Sequence, residues 1–86
     1  METKKAWCVK THIVDDCITM NDDVRVFKYL EEGEKAFNEI VEEERKVAND
    51  NEYVIEYDDS RYFEAYEDGY FAHNHICVSL FQIVIE

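Results

Sequence analysis

Proline is absent from this 86-residue chain and glycine appears only at 33 and 69, where average usage predicts about four and six. No stretch has the composition of a flexible linker, and no repeat or low-complexity tract interrupts the sequence. The chain is therefore read as one domain spanning residues 1–86, too short for two. Basic residues are scarce as well, nine against 21 acids for a net charge of −12. A field of that sign repels phosphates, which excludes direct nucleic-acid binding through a basic patch and disfavours an anionic membrane surface. Long apolar runs are also lacking. The longest, ICVSLFQIVI at 76–85, is too short to cross a bilayer as a helix. METKKAWCVKTHIV has three lysines but neither a long apolar stretch nor a small-residue cleavage site, so it does not read as a signal peptide. Cys8, Cys17 and Cys77 are an odd set without framework spacing, which suits a reducing compartment and a cytoplasmic location.

What is present is apolar residue enough for a core: 47% of the chain is hydrophobic. A chain of this length buries about 60–65% of the surface that its unfolded form exposes. Residues 5–14 alternate, with Trp7, Val9 and Ile13 on one parity and Cys8, Lys10 and His12 on the other, the pattern of a strand with one buried face. DDCITMNDD reads as a loop and VRVF at 24–27 as a short second strand. Leu30, Gly33, Phe37, Ile40, Glu44 and Val47 then fall at three- and four-residue steps, predicting one amphipathic helix over about 30–48. Glu31, Glu32 and Glu34 early and Arg45 and Lys46 late suit its dipole, and Asn49–Asn51 ends it. Gly33 within the apolar stripe points to close approach of a strand.

Three further strands are predicted, at about 52–58, 61–67 and 75–85. A three-residue loop at 59–61 sorts the hairpin best by polarity. It sets Tyr53, Ile55, Tyr57, Phe63 and Ala65 on one face and Val54, Glu56, Tyr62, Glu64 and Tyr66 on the other. The last strand is apolar on both parities and belongs at the sheet centre. The expected fold is α+β, ββαβββ: an antiparallel five-stranded sheet with one helix packed on one face.

The charge is clustered. Residues 39–68 hold twelve acids and three bases, and five of the six tyrosines lie between 53 and 70. Carboxylates two apart on a strand stand about 6.6 Å apart on one side, close to two phosphate steps along a DNA strand. Tyrosine adds contact area at low entropic cost. The candidate partner-binding residues are Glu39, Glu42, Glu43, Glu56, Asp58, Asp59, Tyr62, Glu64, Tyr66, Glu67, Asp68 and Tyr70, against the plainer reading of a solvated acidic face on a helix and hairpin.

Cys8, His12, His73, His75 and Cys77 are residue types that zinc accepts. Their spacing fits no finger or knuckle, and free cysteine commonly packs as a small hydrophobe; no metal and no cofactor is expected. Ser60 and Ser79 lie in no nucleophile motif, and no glycine-rich phosphate loop exists, so no enzymatic activity is expected.

VFKYLEEGEKAFNEIVEEERK, residues 26–46, resembles the strand-to-helix segment of small uncharacterised proteins of bacteria and their mobile elements, with Gly33 where alanine is the expected residue. In size and charge the chain resembles phage-encoded inhibitors of restriction and CRISPR enzymes, several of which are acidic and block nucleic-acid binding. That resemblance implies a non-enzymatic inhibitor whose acidic Tyr/Glu/Asp surface occludes the basic groove of a nucleic-acid-handling enzyme. The alternative is an interaction module or homodimer joined through an apolar sheet face or edge, using Trp7, Phe81 and the apolar tail.

Overall fold

The computed structural model describes residues 4–15, 18–69 and 74–85. Its elements run β1 (Lys4–Asp15), β2 (Ile18–Phe27), α1 (Leu30–Asp50), β3 (Val54–Asp58), β4 (Tyr62–Tyr66) and β5 (His75–Ile85). The strands form one five-stranded sheet in the order β2-β1-β5-β4-β3, antiparallel throughout. The fold is α+β with the expected element order, and the doubly apolar β5 is central. No helix among the described residues is long and apolar enough to cross a membrane.

The helix covers one face of the sheet. Phe37, Val41 and Ala48 pack from α1 onto Val9, Phe63, Ala65, Ile76, Val78 and Leu80, all buried. Strand alternation explains the set: Phe63 pairs with Val78, Ala65 with Ile76, and Val9 with Leu80, so each pair projects to the same side. Gly33 is buried where α1 packs closely on the sheet. A Cβ built there would stand 3.1 Å from Leu80 Cδ1 and 3.4 Å from Trp7 Cβ, so the close approach expected from its place in the stripe is present. Arg61 covers the outer side of Trp7, 5.0 Å from the ring centroid.

α1 runs two residues past the expected end, so no base lies in its last turn. It closes with the hydrogen bonds of a Schellman cap: Glu52 N donates to Asn49 O, and Tyr53 N to Ala48 O at 2.8 Å. The left-handed position, φ 57°, is filled by Glu52 rather than by glycine. Asn51 reinforces the end by donating Nδ2 to Val47 O at 2.8 Å.

Two expectations are corrected. The segment read as a loop is mostly strand: β2 starts at Ile18, pairs with β1 from Asp15 to Trp7, and absorbs an extra residue opposite Ile13 and Val14. Polar Asn21, Asp22 and Asp23 disguise it, because an edge strand needs no apolar alternation to pair its backbone. The β3–β4 register follows the expected one only in its distal half, where Val54 faces Tyr66 and Ile55 faces Ala65. A bulge at Glu56 then shifts it, pairing Tyr57 with Glu64 and Asp58 with Phe63. One extra residue exchanges faces, so Tyr57 leaves the expected inner set and Asp58 turns toward the helix.

Candidate functional site

Among the described residues no helix covers the face of the sheet away from α1. Along β5 and β4 it presents His75, Cys77, Ser79 and Phe81 beside Tyr62, Glu64 and Tyr66. Tyr57 joins them through the bulge, its ring 5.5 Å from that of Tyr62. A hydrogen-bonded group lies at the centre. The Tyr62 hydroxyl donates to Glu64 Oε2 at 3.0 Å, and His75 Nε2 lies 3.0 Å from the same oxygen. Cys77 Sγ donates to the Tyr62 oxygen at 3.6 Å. The Cys77 contact, partial burial and Glu64 push the Tyr62 phenol well above its ordinary value. Glu64 and His75 are each only 14% exposed in their side chains. This group is a closed polar network in the sheet rather than a set of free ligands.

Around it lie more open groups. Tyr66 is held above its ordinary pKa by partial burial and by Glu56, with which it is hydrogen-bonded, and by Asp68. Asp59 stands exposed in the turn before β4, where its N–H donates to Tyr62 O at 2.8 Å. Asp68 is exposed just past β4. The open face of the β3–β4 hairpin thus gathers three tyrosines, Tyr57, Tyr62 and Tyr66, with Glu56 and Glu64, bounded by Asp59 and Asp68.

The other candidates lie elsewhere. Asp58, turned to the helix side, receives Arg45 Nε at 2.8 Å and Nη2 at 2.6 Å, a two-point pair that lowers its carboxyl pKa. Glu67 accepts from Asn74 Nδ2. Glu39, Glu42 and Glu43 are exposed on α1, across the sheet from Tyr62, Glu64 and Tyr66. Helical geometry divides even these three: at 100° per residue Glu39 and Glu43 sit on the shoulder above β2, and Glu42 on the shoulder above β3. The structure therefore spreads the eleven described candidates over three surfaces; Tyr70 lies outside the described residues.

Among the described residues no group of three or more His, Cys, Asp or Glu is placed to hold a metal. Cys8 is buried opposite Phe81, while His12 faces Cys77 four residues further along β1; His73 lies outside the described residues. His12 Nδ1 approaches Asp22 Oδ1 at 3.6 Å.

Sequence reasoning missed the rest of the open face. Lys10, His12, Asp22, His75, Cys77 and Ser79 line a shallow cleft of about 470 Å³, and Val24, Val26 and Phe81 stand exposed beside it. The even parity of β1 gave Lys10 and His12 of that set and the alternation along β5 gave His75 and Cys77; Asp22 required knowing that β2 pairs there. Comparison with known proteins finds no matching family model, no matching curated protein and no matching solved structure.

Proposed function

We propose that the chain is a non-enzymatic binding protein that lays the open face of its β3–β4 hairpin on a basic protein surface. The favoured target is the nucleic-acid groove of a CRISPR effector or restriction enzyme, blocked by occupation. The observation that carries this reading is the gathering of Tyr57, Tyr62 and Tyr66 with Glu56, Glu64, Asp59 and Asp68 on one surface. Arg61, the base within that hairpin, is drawn away over Trp7. Rigid aromatic anchors ringed by carboxylates suit lysine- and arginine-rich partners, and a chain of −12 is steered toward them over distances that salt controls. Glu39, Glu42 and Glu43 contribute long-range field from the other side of the sheet rather than direct contact.

The carboxylates to reverse are the exposed Asp59 and Asp68, together with Glu56, whose hydrogen bond to Tyr66 lies on the proposed binding face itself. Asp58, Glu64 and Glu67 hold Arg45, Tyr62 with His75, and Asn74 respectively, so their reversal confounds folding with binding. The test is displacement of a labelled DNA duplex from a panel of CRISPR effectors and restriction enzymes. At low salt the wild-type chain displaces DNA from at least one member, and the triple variant Glu56→Lys, Asp59→Lys, Asp68→Lys does not, while keeping the wild-type circular dichroism. No displacement anywhere in the panel, or displacement by the triple variant equal to wild type, overturns the reading.

A further inference from the structure

The two edges of the sheet differ. β3 is five residues long, broken by the bulge at Glu56 and lined with carboxylates, as edges that avoid pairing usually are. At the other edge β2 is ten residues long and has neither proline nor lysine within it. On its outer side the described residues place no strand. Ile18, Met20, Val24 and Val26 are each more than half exposed. A row of backbone N–H and C=O groups is thus left without a strand partner over the regular segment Asn21–Phe27, beyond the irregularity near Met20.

We propose that β2 pairs antiparallel with β2 of a second copy, about a two-fold axis at Val24, making a continuous ten-stranded sheet. The charges on the strand select both the occupant and the register. In a two-fold antiparallel pair, facing residues share a side of the sheet, so the axis must pass at a residue. At Asp22 or Asp23 it sets an aspartate against its own symmetry mate, and at Arg25 it sets two guanidiniums together. An axis at Asn21 runs the ladder through the irregularity opposite Val14, and one at Val26 keeps only three residues of β2 in it. An axis at Val24 places Val24 against Val24. It also places Asp23 against the partner's Arg25 and Arg25 against the partner's Asp23, two opposite-charge pairs related by the symmetry.

Within one chain Arg25 Nε already donates to Asp23 Oδ2 at 3.0 Å, with side chains 59% and 46% exposed. Pairing about Val24 closes the two pairs into a ring of four alternating charges. The axis stands normal to the sheet, so both helices lie on the same side. The cleft between β2 and α1, lined by Arg25, Phe27, Glu32, Lys35, Ala36 and Glu39, opens toward its counterpart. This contact lies at the edge remote from the β3–β4 hairpin and is independent of the partner proposed for that hairpin.

A contact of this size belongs among weak homodimers, so it is read by sedimentation equilibrium at chain concentrations on the order of 100 µM. The wild type is expected to approach twice its 10.3 kDa chain mass. Asp23→Arg and Arg25→Asp each turn the ring to a single sign and weaken association about tenfold or more. The double swap Asp23→Arg/Arg25→Asp rebuilds the alternation and restores it. Across β1 these positions face Thr11 and Val9, which carry no charge, while Arg25 shares its cleft with Glu32, Lys35 and Glu39 of the helix; circular dichroism and melting curves confirm that each variant is folded. A wild type that stays monomeric over this range overturns the proposal. So does a dimer that the single variants leave unchanged, or one that the double swap fails to restore.

Discussion

At the scale of single residues, the pair between Arg45 and Asp58 ties helix to sheet by charge, beside the apolar packing of Phe37 and Val41. It is two-pronged, at 2.8 and 2.6 Å, and it depends on the bulge that turns Asp58 toward α1. Its side chains are 40% and 37% exposed, so water screens it, and Asp58→Asn is expected to cost about 0.5–1 kcal/mol, or about 4–8 °C per kcal/mol in Tm for a domain of this size. The hydrogen bond from Arg45 lowers the Asp58 pKa below its unfolded value. The linked stability is therefore fully present above that unfolded value and is lost as the pH falls through the lower, folded one. Thermal melts of wild type and Asp58→Asn across acid pH check this: the two curves differ most near neutrality and converge in acid. A constant gap down to the lowest pH at which both fold contradicts the assignment.

The elements were legible to the extent that burial writes them in the sequence. β5, apolar on both parities, and α1, with its stripe from Leu30 to Val47, announced themselves, because a central strand and a packed helix cannot form without those patterns. Three features left weaker marks. β2 pairs by backbone at an edge, and Asn21–Asp22–Asp23 resembles a loop. The helix cap uses Glu52 at φ 57° where the usual signal is glycine. The bulge at Glu56 also lacks glycine, yet it decides which face Tyr57 and Asp58 occupy. The candidate site was legible in composition, since Tyr62, Glu64 and Tyr66 were placed outward together. It was not legible in extent, because helix and sheet separate carboxylates that are near in sequence. Deleting Glu56 tests the bulge. With the extra residue gone, Tyr57 still faces Glu64 and Asp58 still faces Phe63 in an unbroken ladder, so Tyr57 stays on the open face and Asp58 on the helix side. A double-mutant cycle between Arg45 and Asp58, expected at about 0.5–1 kcal/mol in the wild type, is therefore undiminished in the deletion variant. A coupling energy that falls to zero there shows that Glu56 is not the residue the bulge absorbs.

Over the whole molecule, charge is arranged along the length of the sheet as well as across it. Lys4, Lys5 and Lys28 surround one end, about an apolar cleft of 460 Å³ lined by Ala6, Val26 and Phe27. At the other end Tyr53 lies within the field of Asp15 and Glu67, which, after burial, raise its pKa. The negative end of the α1 dipole adds to that acidic end, with no base in the last turn to offset it. A −12 chain so arranged repels itself, and screening relieves that repulsion. Raising salt from about 0.01 to 0.15 M shortens the Debye length from about 30 to 8 Å. The wild-type Tm is expected to rise over that interval, since the repulsion screened among its many carboxylates exceeds the attraction lost at Arg45–Asp58. If the hairpin face binds a basic groove, affinity for that target falls over the same interval, by about tenfold or more through the association rate. Stability and binding then move in opposite directions with salt, a combination that neither a purely structural acidic face nor an apolar docking surface produces. In the variant Glu56→Lys, Asp59→Lys, Asp68→Lys both slopes flatten. Melting curves and binding titrations on the same samples read the two together, and an affinity unchanged by salt while Tm rises places the contact on apolar surface instead.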